Sequence, residues 1–218
     1  MSYDSYYSPD YYSELESLMS GFVGLSGLAL IGVILLIGVV IALAFHYLEA
    51  IPTFIIAKKN GFRHAWVALI PIHLCITYVL SGIPGERDTK VAKWTIKSKT
   101  AFLVYLLIAI VGTGIAATIS GLIGGVLGLI PFIGVFLSAL IGTVIGLIPA
   151  IACILFEHAF LRDVINVYNT DAKSSSTTAL IVVIVNYFIK IVRPIYLWTL
   201  VGKQPIHNRF EAEFTEVP

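Results

Sequence analysis

The sequence predicts an all-α integral membrane protein: three or four transmembrane helices plus one or two re-entrant or interfacial helical segments. Three observations predict it. Of the 218 residues 58% are hydrophobic and only 12% charged, and the mean hydropathy of +0.92 lies far above that of soluble domains. Several apolar runs reach the roughly 20 residues a helix needs to cross hydrocarbon. Lys and Arg gather in the gaps between those runs.

Three parts follow: an acidic, tyrosine-rich N-terminal tail (1–21), a helical membrane domain (22–202) and a polar C-terminal tail (203–218). The first carries Asp4, Asp10, Glu14 and Glu16 and no Lys or Arg. That argues against a cleaved secretory signal, which needs a positive start. Runs 22–48, 101–119 and 132–156 qualify as spans. Two others fit either a span or a dip: 65–82, interrupted by Pro71, and 178–201, interrupted by Lys190, Arg193 and Pro194.

Cytoplasmic loops are enriched in Lys and Arg, so an acidic tail followed by Lys58, Lys59 and Arg63 places the N-terminus outside and the next loop inside. If 65–82 crossed, Arg87, Lys90, Lys93, Lys97 and Lys99 would lie outside. A dip that bends at Pro71 and returns keeps them inside, with Trp66 at headgroup level. For 178–201, length alone favours a crossing. The charge-free linker 120–131 suits the outer face.

Helices in lipid associate through small residues that let backbones approach. Two ladders at four-residue spacing predict an antiparallel hairpin: Ala109, Thr113, Ala117, Gly121 and Gly125 against Gly134, Ser138, Gly142, Gly146 and Ala150. A gating hinge at Pro149 is the functional alternative. A ladder the hairpin leaves unused would serve a homo-oligomer.

Ionisable groups within apolar runs are functional candidates by default. Asn186, Lys190 and Arg193 recur at i, i+4 and i+7, one face of an unbroken helix. Their alternative is snorkelling or internal pairing. Glu49 and Glu157 are the candidate counter-charges, and with His46 and His158 they complete a candidate polar cluster. Neither H-x-x-E nor E-H is a metal-ligand pattern, so no metal or other cofactor is expected. His73 reads as an interface or interior histidine. Cys75 and Cys153 read as small hydrophobes.

In ERDTKVAKWTIKSK, residues 86–99, the lysines at 90, 93 and 97 share a helical face. This predicts a short basic amphipathic helix against anionic lipid at the cytoplasmic surface. No nucleic-acid module is present. Hydrolase, metalloprotease and nucleotide-binding motifs are missing, so no enzyme is expected.

Residues 59–72, KNGFRHAWVALIPI, resemble a K-x-G-x-x-x-A-W-x-A-x-I-P-I element of small, uncharacterised bacterial multi-pass membrane proteins. Val167-Tyr-Asn-Thr-Asp and Pro194-Ile-Tyr-Leu-Trp-Thr-Leu-Val-Gly-Lys203 extend the likeness to about a quarter of the chain. It implies a bacterial cell membrane and no transferable activity. His73, Leu74 and Cys75 depart from the aliphatic or polar continuation usual in that group. The expectation is a non-enzymatic scaffold or accessory subunit, with anionic lipid and a membrane-protein partner or second copy as its contacts. The alternative is a small solute or ion transporter or channel using the polar stripe of the last segment.

Overall fold

A computed structural model describes residues 9–85, 87–130, 132–169 and 171–206. Among these are seven α-helices and one β-hairpin: α1 (Pro9–Lys59), α2 (His73–Gly82), β1 (Asp88–Val91), β2 (Trp94–Lys97), α3 (Ser98–Leu107), α4 (Thr113–Leu127), α5 (Ile133–Tyr168), α6 (Ala172–Phe188) and α7 (Val192–Val201). Three helices are long and apolar enough to cross a membrane: the Ala29–Lys59 part of α1, the continuous Ser98–Leu127 rod, and α5. The chain divides within α1 into units Met1–Phe45 and His46–Pro218. In the first, α1 begins inside the expected tail, and every side chain from residue 29 to 45 is exposed. Residues 1–8 and 207–218 of the expected tails lie outside the described residues.

The second unit has a compact end and an extended apolar hairpin. Its largest core cluster joins the last turns of α1, α2, the C-terminal third of α5, α6 and α7. A smaller cluster packs Tyr105, Phe156 and Phe160 with Val91 and Ala101.

The opening of the first core cluster follows directly from Lys-Asn-Gly-Phe. Gly61 takes φ 66°, and the amides of Phe62 and Gly61 donate to the carbonyls of Ala57 and Lys58. These bonds close α1 in a Schellman motif, where a positive φ favours glycine. Asn60 donates to both Ile56 O and Tyr168 Oη at 2.8 Å, tying α1 to the end of α5. A short 3₁₀ helix, Ala65–Leu69, then leads through Pro71 to α2. The chain returns on itself: a side chain at Gly82 would collide with the Phe62 ring, which also stacks edge-on against Tyr78.

The run 178–201, which fitted either a crossing or a dip with length favouring a crossing, does not form one helix: the chain breaks at 189–191 into α6 and α7. Pro194 has no amide hydrogen, and its ring opposes the carbonyl four residues back, so a helix cannot run through it unbroken without cost. Pro194 instead occupies the first turn of α7, where amides have no helical partner. The side chain of Asn186 supplies one, accepting from the Arg193 amide at 3.1 Å. Beyond α7 the Ile206 amide donates to Val167 O at 2.8 Å, so the α6–α7 segment starts and finishes beside the end of α5.

Proline also sets how α7 docks. Pro52 lies inside α1 and cannot donate to Leu48 O; the Trp198 indole N–H reaches that oxygen at 3.1 Å instead. Lys59 Nζ donates to Val201 O at the other end of α7.

The basic helix expected over 86–99 is corrected to an antiparallel hairpin, pairing Asp88 with Lys97 and Val91 with Trp94. β-Branched Thr89, Val91, Thr95 and Ile96 suit a strand, and Ala92 turns the chain with φ 52°.

Helices α4 and α5 do form the expected antiparallel pair, but one ladder is shifted. Contacts run through Gly112, Ala116, Ser120 and Gly124: a Cβ on Gly112 would touch Pro149, Gly124 faces Ser138, and Gly142 faces Ser120. Gly121 and Gly125 face open space, as does Gly146 on the partner helix. A π-helical turn, Ile108–Gly112, precedes this stretch: a straight α-helix would point Gly124 about 140° away from the face of Ala101, and the π turn takes back about 100°. Thr113, Ala117, Gly146 and Ala150 line a cleft between the helices. Gly134 closes the turn, where any side chain would collide with Leu127 O.

Replacing Ala116 by Leu is expected to lower stability by ~1–3 kcal/mol through overpacking, whereas Gly121→Leu leaves it unchanged; thermal unfolding in detergent compares the two. Trp198→Phe is expected to cost about 1 kcal/mol, and less in a Pro52→Ala background, where residue 52 supplies its own amide to Leu48.

Candidate functional site

Arg193 enters the compact end as the second residue of α7, and its side chain is 3% exposed. One guanidinium nitrogen, Nη2, lies 2.6 Å from Glu49 Oε1 on α1. The other, Nη1, donates to Glu157 Oε2 on α5 at 2.9 Å. Two further groups complete the ring. Tyr105 Oη on α3 donates to Glu157 Oε1 at 3.3 Å. His73, the first residue of α2, brings Nε2 to 3.4 Å from Arg193 Nη2 and 3.7 Å from Glu157 Oε1. One cation thus joins α1, α2, α5 and α7, while Asn186 of α6 holds its backbone.

A buried guanidinium is expensive unless paired. Burial would push Arg193 towards losing its proton, but the carboxylates of Glu49 and Glu157 outweigh it and raise its pKa. The group therefore stays charged. Two carboxylates face the one guanidinium, and His73 is the half-exposed neighbour beside them.

Of the seven residues singled out in sequence, Glu49, Glu157, Asn186 and Arg193 come together. Lys190 does not. The break at 189–191 takes it off the shared face, and it is exposed with Nζ 5.3 Å from the centre of the Tyr187 ring. His158 instead ties α5 to α6, with Nε2 3.1 Å from Ser176 O. His46 sits one turn before Glu49, and its buried Nε2 has no hydrogen-bond partner among the described residues. His73, read as an interface or interior histidine, and Tyr105 were not placed in the expected cluster; their link to residues 157 and 193 is purely tertiary and leaves no local spacing in the sequence. Among the described residues no three His, Cys, Asp or Glu side chains converge as metal ligands.

Glu157 lies about 36 Å from Ile133 along the axis of α5, past the apolar run that ends at Phe156. The cluster therefore sits at one edge of the apolar length, away from its middle.

Arg193→Ala is expected to lower stability by ~3 kcal/mol because it strands the buried carboxylate of Glu49 and the partly buried one of Glu157, while Lys190→Gln stays within about 0.5 kcal/mol. Neutralising the ring together, Arg193→Met with Glu49→Gln and Glu157→Gln, recovers part of the loss; unfolding in mixed micelles ranks the variants. No protein-family model, curated protein or solved structure matches the chain.

Proposed function

We propose that this chain is a non-enzymatic scaffold or accessory subunit of a bacterial cell membrane. Its N-terminus is outside, and both the α2 segment and the α6–α7 pair enter from the inner face and return to it. The observation that carries the reading is the use of Arg193. Paired with Glu49 and Glu157 and 3% exposed, it serves as a tie between helices and faces no path.

The joined ends support this topology. Phe62 meets Gly82, Ile206 meets Val167, and Asn60 meets Tyr168. Lys58, Lys59, Arg63, Arg87, Lys97, Lys99, Lys173 and Lys203 flank those junctions, as an inner face requires. The tight turn between α4 and α5, which contains no charged residue, then lies outside. Inner-face cations favour anionic lipid, and the exposed apolar lengths leave surface for a membrane-protein partner or second copy.

The transporter alternative needed Asn186, Lys190 and Arg193 on one face. The helix break separates Lys190 from the other two, so that reading loses its motivating stripe.

Single cysteines at Arg87, Leu129 and Gln204, in a background lacking Cys75 and Cys153, test the arrangement with an impermeant thiol reagent. Labelling of 87 and 204 from the cytoplasmic side and of 129 from outside is expected. External labelling at 204 would make α6–α7 a crossing and overturn the proposed topology. For the role itself, gentle-detergent purification is expected to retain a partner or a self-associated form; a strictly solitary chain in every detergent tried would sink it.

A further inference from the structure

We infer that the β1–β2 hairpin is a membrane-surface foot: Trp94 and Lys93 at its tip seat at headgroup level, and the hairpin's lysines select anionic lipid. The inference rests on the inner-face topology proposed above and names the structure that meets the lipid.

The hairpin is held rigidly. At its base the Ser98 amide donates to Arg87 O at 3.0 Å and Ser98 Oγ to Gly85 O at 3.1 Å. On its flank Arg162 Nη1 donates to Lys90 O at 2.9 Å, while its Nη2 is paired with Asp163 at 2.7 Å. One strand face is buried through Thr89 and Val91, and Val91 belongs to the aromatic cluster of Tyr105, Phe156 and Phe160.

These anchors give the hairpin a level. Arg162 holds Lys90 O, and Val91 belongs to the cluster of Phe156, Ala159 and Phe160, so β1 lies beside the 156–162 stretch of α5. Phe156 is about 35 Å along α5 from Ile133, where a hydrocarbon layer of about 30 Å gives way to headgroups. The tip arrives at that level carrying Trp94, 72% exposed, beside exposed Lys93. Tryptophan prefers this depth because its ring is amphipathic.

Charge selects the surface. Residues 86–99 hold five cations against Glu86 and Asp88. Lys90 and Lys97 lie on the strand face opposite Val91, paired across from Thr95 and Asp88. A neutral bilayer would offer these lysines little, whereas anionic headgroups gain from each nearby cation.

The test uses the full chain in nanodiscs of mixed phosphatidylglycerol and phosphatidylcholine, with bromine near the head of the acyl chain on one lipid or the other. The Trp94 signal is the emission of the unsubstituted protein minus that of Trp94→Phe, which removes the contribution of Trp66 and Trp198. Expected is stronger quenching by the brominated phosphatidylglycerol, with the preference falling about fivefold for Lys93→Gln and further for Lys90→Gln with Lys93→Gln. Equal quenching by both lipids would overturn the anionic selection. An unquenched Trp94 in a protein whose other tryptophans are quenched would overturn the foot while leaving the membrane reading intact. If no tryptophan is quenched, the inner-face reading falls with it.

Discussion

A guanidinium removed from water must find its counter-charges inside the protein, and in this chain that requirement falls on Arg193. Its partners sit on α1 and α5, far away in sequence, and the tip of α2 fills the remaining side through His73. The arrangement holds only if α7 lies against the end of α1, the helix break lies near Glu157, and α2 reaches the same depth. Each condition has its own local support: the Trp198 bond to Leu48, the Asn186 cap on α7, and the closure of Phe62 onto Gly82. Apolar packing supplies most of the contact area at this end, and lipid-facing apolar surface is indifferent to where helices stop. The ionic ring is what ties the two short helices α2 and α7 to α1 and α5.

Proline recurs at the places where helices meet. Pro52 frees a carbonyl that an indole from α7 occupies, Pro149 nests against Gly112, and Pro194 starts α7 where the preceding helix has stopped. Buried backbone groups need partners, especially where water is scarce. A proline that opens one helix therefore creates a demand that a neighbouring helix meets, and the break becomes a docking point. Hinge motion at Pro149 has less support in this setting, since α5 continues through it from Ile133 to Tyr168 and its ring is packed.

Much of this was legible in the sequence because apolar length and sparse charge are local properties. The three long helices follow from uninterrupted runs, and Glu49, Glu157 and Arg193 stood out as charges within or beside them. Lys190 was grouped with Arg193 by a periodicity that presumes an unbroken helix, and Pro194 invalidates the presumption. The α4 ladder was displaced by one residue because small residues stand on both adjacent rows, Ser120 and Gly124 beside Gly121 and Gly125, and spacing alone does not choose between them. Residues 86–99 misled for a different reason: lysines three and four apart fit a helix, while the Ala92 turn lacks the Gly or Asn that would announce a hairpin. His73 and Tyr105 joined the ring through tertiary approach alone.

The distribution of charge gives the molecule its polarity of action. Inside the ring, charge holds helices together, and the Arg193 guanidinium at its centre is almost wholly covered. Outside it, exposed Lys and Arg flank the junctions at one end of the second unit, and the turn at the far end of α4–α5 carries none. On the proposed topology the basic end is the face that meets anionic lipid. A carrier would need polar partners along an ion's whole way, whereas the proposed scaffold needs only a fixed depth and one adhesive face. The corrected placement of Lys190 matters here, since it removes the one residue that would have extended the ring towards a path.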